Sequence, residues 1–261
     1  MPCKTIAVAN QKGGTGKTAT ALSLGIALVR AGKRVLLVDT DPQGDLTKSL
    51  GIADPDSLEV TIANHLQAAM DGAELEPNAG LINHKEGIDL MPANINLAGI
   101  EMGMFMAISR EQLLKTWLMQ LADDYDYAII DCAPTLGILP VNAFVAANSI
   151  IIPVSAEYLP ASAMTSLLKT IKRVQRQINP DLCIEGVLIT LYDGRNNLAR
   201  EVESTIREQY GDDYRVFKTV VPRAVSAAET PATGRSIFAY DRNGKVAHAF
   251  ERLAAEVMDR G

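Results

Sequence analysis

The chain has 261 residues, 48% of them hydrophobic and 21% charged, which is enough apolar material for a substantial core and argues against disorder. Its formal charge of −6 excludes a surface coated in positive charge. Residues 1–194 hold 14 Lys+Arg against 21 Asp+Glu and residues 195–261 hold 11 against 10, so a nucleic-acid footprint has to be a local patch. Cys3, Cys132 and Cys183 form no C-x-x-C pair, which argues against a disulfide framework or a zinc site and fits a reducing cytoplasm.

Taken in chain order, MPCKTIAVAN goes straight into an apolar strand-like run, without the n- and h-regions of a signal peptide. TATALSLGIALVRAG has helical spacing and stops at Gly32, and RVLLVD is an unbroken apolar run of the buried parallel-strand type. VTIANHLQAAM predicts a helix, IDLMPA a short strand, and SREQLLKTWLMQLADD a helix opening on Ser109 as N-cap. YAIID (strand), LPVNAFVAA (helix), SIIIPV (strand), ASAMTSLLKTIKRVQRQI (helix) and IEGVLITLYD (strand) follow. NLAREVESTIREQY (helix), RVFKTVVP (strand) and a last helix near GKVAHAFERLAAEVMD complete the chain. No apolar stretch approaches the ~18 residues of a membrane span. The alternation predicts one α/β domain over 1–261, a doubly wound, mostly parallel sheet with helices on both faces and ligands at the carboxyl ends of its strands.

NQKGGTGKTAT, residues 10–20, lies between the first strand and the first helix. Gly13, Gly14 and Gly16 let backbone N–H groups approach phosphate oxygens, and the helix from Lys17 adds its N-terminal dipole. Lys17 places a point charge near the β- and γ-phosphates, and the Thr18 hydroxyl is a Mg²⁺ ligand candidate. Chance would give K-G-G-x-G-K-[ST] on the order of a few times in 10⁵ chains of this length, which sets aside a mere glycine turn. VDTDPQGD ends the second strand in two carboxylates, Asp39 and Asp41, which point alike if the strand continues. YAIIDCAPTLG adds Asp131 after an apolar strand, where nucleotide hydrolases place a magnesium-holding carboxylate.

With these motifs, and with Pro153 and Glu157 of IIPVSAEY, GVLITLYDGRNNL and VVPRAVSAAETPATG, the chain resembles the ParA/MinD ATPases with a deviant Walker A loop. Within them it looks like the ParA/Soj branch, over residues 10 to about 235. The resemblance implies an ATP- and Mg²⁺-dependent ATPase of slow basal rate. It implies that Lys12 reaches across a two-fold interface to the partner's nucleotide, as an arginine finger does in trans. By the same resemblance Lys12, Gly13, Gly14, Thr15, Gly16, Lys17, Thr18 and Ala19 cradle the nucleotide. Asp41 orients the attacking water, Asp39 and Asp131 hold waters of the Mg²⁺ shell, and Thr18 ligates the ion directly. VDTDPQGD and DCAPTLG become switches I and II, and the segment from Thr190 and the Val221-Pro222 turn border the adenine.

Lys169, Lys172, Arg173 and Arg176 recur at helical spacing in an acid-free stretch, residues 161–178, and share one face. With Arg195 and Arg223 they make a candidate phosphate strip. The resemblance implies nonspecific binding of double-stranded DNA by the ATP dimer, release by a ParB-like partner, and a cytoplasmic, nucleoid-associated location. One departure weakens the DNA expectation: Ser226 stands where the Soj branch commonly has an arginine. A MinD-like ATPase that positions a membrane-bound or protein cargo is the alternative. That reading wants a basic amphipathic tail, whereas AFERLAAEVMDRG mixes acids with bases and reads as a docked helix. An iron–sulfur relative wants a second bridging cysteine beside Cys132, and a tyrosine-kinase relative wants a tyrosine-rich tail; neither is evident.

Overall fold

Eight strands form one sheet in the computed structural model, which describes residues 3–157 and 161–259. The strands are β1 (Lys4–Val8), β2 (Val35–Thr40), β3 (Ile82–His84), β4 (Ile88–Met91), β5 (Tyr127–Cys132), β6 (Ser149–Ser155), β7 (Cys183–Tyr192) and β8 (Val216–Pro222). Their order across the sheet is β3-β4-β2-β5-β1-β6-β7-β8, and every pairing is parallel except β3 with β4. The central strands β2, β5 and β6 are buried at every position, as continuous apolar runs covered on both faces must be.

The helices are α1 (Lys17–Arg30), α2 (Asp45–Ser49), α3 (Ile62–Asp71), α4 (Asn96–Met104), α5 (Leu113–Met119) and α6 (Ile138–Ala146). They continue as α7 (Ala161–Gln177), α8 (Asn197–Tyr210), α9 (Val225–Thr233), α10 (Ile237–Tyr240) and α11 (Lys245–Met258). Helices α3 to α8 pack on one face through a cluster that includes Leu66, Trp117, Phe144, Leu167 and Val202. On the other face α1, α2, α10 and α11 close over Leu24, Leu46, Phe238 and Phe250. The chain moves to one side of β1 through β2 and β4, then returns through β5 and crosses to β6. Connections therefore diverge at the carboxyl end of β1, the position where open α/β sheets leave a crevice.

The doubly wound, mostly parallel sheet matches the sequence expectation. The opening of α5 does not. Ser109 takes a left-handed φ of 52°, and the helix begins four residues later at Leu113, with no side-chain cap from its own N-cap residue. Asn142 of α6 supplies the cap instead: its Oδ1 accepts the Leu114 N–H at 3.2 Å and its Nδ2 donates to the Arg110 carbonyl at 2.8 Å. A remote amide thus satisfies the helix end that Ser109 was expected to satisfy. The elements α2, α4, α9 and α10 and the antiparallel edge β3 lie outside the sequence expectation; α2, α10 and β3 carry too few residues to show a period.

Candidate functional site

The loop from Asn10 to Gly16 joins β1 to α1 at that crevice. Gly14 and Gly16 have φ of 70° and 79°, a backbone region that L side chains rarely enter, so the loop's path depends on glycine there. Asn10 anchors the loop, donating to the Pro153 carbonyl at 2.7 Å and accepting the Lys12 N–H at 3.0 Å. The Thr190 hydroxyl holds the far side, donating to the Thr15 carbonyl at 2.8 Å. Lys17 is 8% exposed, and its Nζ turns back to donate to the Lys12 carbonyl at 3.1 Å. Burial lowers the Lys17 pKa, while nearby Asp131 and Asp41 act to raise it. Lys12 is exposed, with its side chain outside the residues that line the crevice.

Asp39 and Asp131 face each other in register on adjacent strands β2 and β5. Both are buried. Asp39 Oδ2 accepts the Thr47 N–H at 2.9 Å and the Thr47 hydroxyl at 2.7 Å, and Oδ1 accepts the Asp41 N–H at 3.1 Å. Desolvation outweighs those bonds and pushes the Asp39 pKa up to about 6. Asp131 differs: no hydrogen bond of normal geometry satisfies either carboxylate oxygen, although the Thr18 hydroxyl lies close enough to favour its ionised form. Burial and then the charge of Asp39 raise its pKa well above the usual carboxylate range, against the smaller effects of Thr18 and Lys17. Asp41 follows the strand rather than extending it, so the two acids of VDTDPQGD do not stand as a matched pair; Asp39 turns inward to α2 and Asp41 lines the crevice.

An unsatisfied buried carboxylate is costly unless something compensates it. Asp131 beside Thr18, Lys17 and Asp39 suits a hard cation that takes oxygen ligands and keeps part of its water shell. Among the described residues no cluster of three or more His, Cys, Asp or Glu makes a metal cage of its own. Magnesium needs none where phosphate oxygens complete its shell.

Above these acids lies a cleft of about 1120 Å³. Of the sequence-predicted residues, Gly13, Gly14, Gly16, Lys17, Thr18, Ala19, Asp41 and Pro222 line it together, while Thr15, Asp39 and Asp131 lie beneath. Its apolar lining includes Val221, Ala224, Ala227, Ile237, Val246 and Phe250. The contribution of α10 and α11 carries no local sequence signal, because these residues read as ordinary helix core. Leu191, also in the lining, sits at a φ of 52° at the end of β7. Strain at a non-glycine residue beside a cleft is a functional pointer that a strand-forming leucine hides in sequence. Arg223, also in the lining, donates to Glu157 in the turn after β6.

The six basic residues fall into two groups. Lys169, Lys172, Arg173 and Arg176 are all exposed on α7, opposite buried Met164, Leu167, Ile171 and Val174. Lys172 neighbours Cys183 and Asp213–Arg215, at the amino-terminal edge of the sheet. Arg195 and Arg223 stand instead at the carboxyl ends of β7 and β8, and both are ion-paired, Arg195 to Asp193 at 3.0 Å and Arg223 to Glu157. Ser226 is the second residue of α9.

A family model described as an AAA domain matches residues 3–184. The chain is 43% identical over 258 residues to the sporulation initiation inhibitor protein Soj of Bacillus subtilis, covering 99% of each. It is 37% identical to the chromosome partitioning protein ParA of Caulobacter vibrioides, over 99% of this chain and 95% of that one. Among solved structures, a Mycobacterium smegmatis protein named cobyrinic acid a,c-diamide synthase, crystallised with an ATP analog and magnesium, is 40% identical. It superposes with a TM-score of 0.87, covering 99% of this chain and 95% of the other.

Proposed function

Because the chain belongs to the Soj/ParA family of chromosome-partitioning ATPases, we propose that it cycles between an ATP-bound dimer held on DNA and a monomer released by hydrolysis. The observation that carries the ATPase reading is the unsatisfied Asp131 carboxylate beneath a glycine loop whose lysine is buried next to it. In this reading residues 1–261 act as one ATPase domain. Loop N–H groups and Lys17 bind the β- and γ-phosphates, and Pro222 and the apolar lining of the cleft take the base. Thr18 holds a magnesium ion directly, with Asp39 and Asp131 holding its waters; when bound, the ion neutralises charge on the phosphate oxygens. Asp41 orients the attacking water, and Lys12 of one protomer adds its charge to the nucleotide of its partner.

The α7 strip contacts duplex phosphates without reading bases, and a ParB-like protein stimulates hydrolysis to end the bound state. The MinD-like alternative loses support from α11, which spends Val246, Phe250, Leu253 and Val257 on the core and keeps no apolar face for a lipid surface. No helix among the described residues is long and apolar enough to cross a membrane.

Phosphate release from ATP, measured with magnesium and with chelator, tests the reading. Slow, magnesium-dependent turnover without any acid or amine co-substrate is the expected result, and it also separates an ATPase from an ATP-using amide synthase. A protein that binds no ATP, or that turns it over only with a co-substrate, refutes the proposal.

A further inference from the structure

Helix α2 starts without a cap of its own. Gly44 at its N-cap offers no side chain and sits at φ 63°. The acceptor that the helix end needs comes from a strand: Asp39 Oδ2 takes both the Thr47 N–H and the Thr47 hydroxyl. The same hydroxyl oxygen accepts the Ala93 N–H at 3.1 Å, in the turn between β4 and α4. Thr47 is therefore bonded at once to the end of β2, to its own helix and to the turn beyond β4, and it is fully buried while doing so.

The other oxygen of that carboxylate has a separate task. Asp39 Oδ1 accepts the Asp41 N–H at 3.1 Å. One carboxylate thus has Thr47 on one oxygen and the backbone of Asp41 on the other. It cannot turn about its bond to Cβ without weakening both sets of contacts. Asp41 lines the cleft, where its Oδ1 also accepts the Gln43 N–H at 3.0 Å, while the Thr47 hydroxyl that bears on its backbone through Asp39 lies outside the lining.

We propose that Thr47 is a positioning residue for ATP hydrolysis, fixing Asp41 through the Asp39 carboxylate. The inference rests on the ATPase reading above. A group that orients water acts only in the transition state, and misplacing it by about 1 Å can cost roughly 10²-fold in rate. Groups that hold a metal-site carboxylate in place typically matter by 10–100-fold. The loss should therefore fall on kcat and leave KM and nucleotide affinity nearly unchanged.

The test uses Thr47→Val, which keeps the shape and removes the hydroxyl, and Thr47→Ser, which restores it. Phosphate release gives kcat and KM, and titration with a fluorescent ATP analogue in chelator gives nucleotide affinity. Thr47→Val should lower kcat by about 10–100-fold with affinity within about 2-fold of the parent, and Thr47→Ser should recover kcat to within about 3-fold. In an Asp39→Asn background Thr47→Val should add less than about 2-fold, because the path through Asp39 is already broken. Parent-like kcat in Thr47→Val, no recovery with serine, or additive losses in the double variant would overturn the role. If the valine variant does not fold, Thr47→Ala removes the same hydroxyl without adding bulk and is read against the same thresholds. Failure of both to fold makes the hydroxyl structural and also overturns the proposal. A parent that hydrolyses no ATP defeats the ATPase reading itself, whereas a parent that turns over alongside an equally active Thr47→Val defeats only the positioning role.

Discussion

Lys12 and Lys17 are five residues apart in one loop and occupy opposite surroundings. Lys17 is buried and folded back onto the loop, whereas Lys12 is exposed beside the cleft. Lys17→Ala should weaken ATP binding by about 10–100-fold, the loss of a charge-assisted contact worth roughly 1.5–3 kcal/mol. Lys12→Ala should bind ATP within about 3-fold of the parent yet lose about 10³-fold in turnover together with the ATP-dependent dimer. Calorimetry with phosphate release separates the two, and an unaltered rate in Lys12→Ala removes it from the mechanism. Asp131 gives a prediction of opposite signs for stability and activity. Its carboxylate is buried and unsatisfied and faces Asp39, so Asp131→Asn should raise the ligand-free melting temperature, by roughly 2–4 °C for each kcal/mol gained, while abolishing magnesium-dependent turnover. A lowered melting temperature would show that the site is compensated in some other way.

Two helices show how an element's fate depends on what meets it. Helix α11 is fastened to β8 by Glu256, whose carboxylate accepts the Lys218 N–H at 3.0 Å and the Thr219 N–H at 2.8 Å beside Arg215. Burial alone would raise its pKa, but these bonds prevail and hold it below the ordinary glutamate value. With the folded pKa below the unfolded one, the stabilisation is present above the unfolded value near 4.5 and is lost as pH falls through the folded pKa. Glu256→Ala should cost about 1–3 kcal/mol at pH 7 by denaturant melts, and the deficit should shrink as pH drops below about 4. A deficit independent of pH would assign it to packing instead. Helix α7 presents its four cations to solvent and its apolar face to the core. Lys172→Glu with Arg173→Glu should abolish DNA retention in filter binding while leaving DNA-free ATPase turnover unchanged; retained binding would move the DNA surface elsewhere. Arg195 and Arg223 are already paired with acids and offer less free charge than their sequence positions suggest.

An acidic molecule can hold a polyanion only if its positive charge is concentrated, and the proposed dimer would double the α7 strip. If both copies contact phosphates, affinity for long duplex DNA should fall about 10³–10⁵-fold between 50 and 200 mM salt, without sequence preference. Asp41→Ala should accumulate as an ATP-dependent dimer on size-exclusion chromatography, because orienting water matters only during hydrolysis. A monomer in the presence of ATP would make Asp41 structural. The doubly wound fold was legible because local patterns suffice for it: apolar runs such as RVLLVD need both faces covered, and the turns between strands and helices are short.

The phosphate loop, the acids at the ends of β2 and β5 and the basic face of α7 were determined by sequence, because each depends on residues within about two helical turns or one strand–helix junction. Partnership was decided only by the tertiary structure. Thr47 meets Asp39 and Ala93, Asn142 caps α5, Glu157 claims Arg223, and Phe250 closes a cleft begun at Gly13. These partnerships and this shared cleft bring together residues from 8 to more than 200 positions apart. No local pattern encodes them, because a buried polar group requires a partner without specifying which segment supplies it.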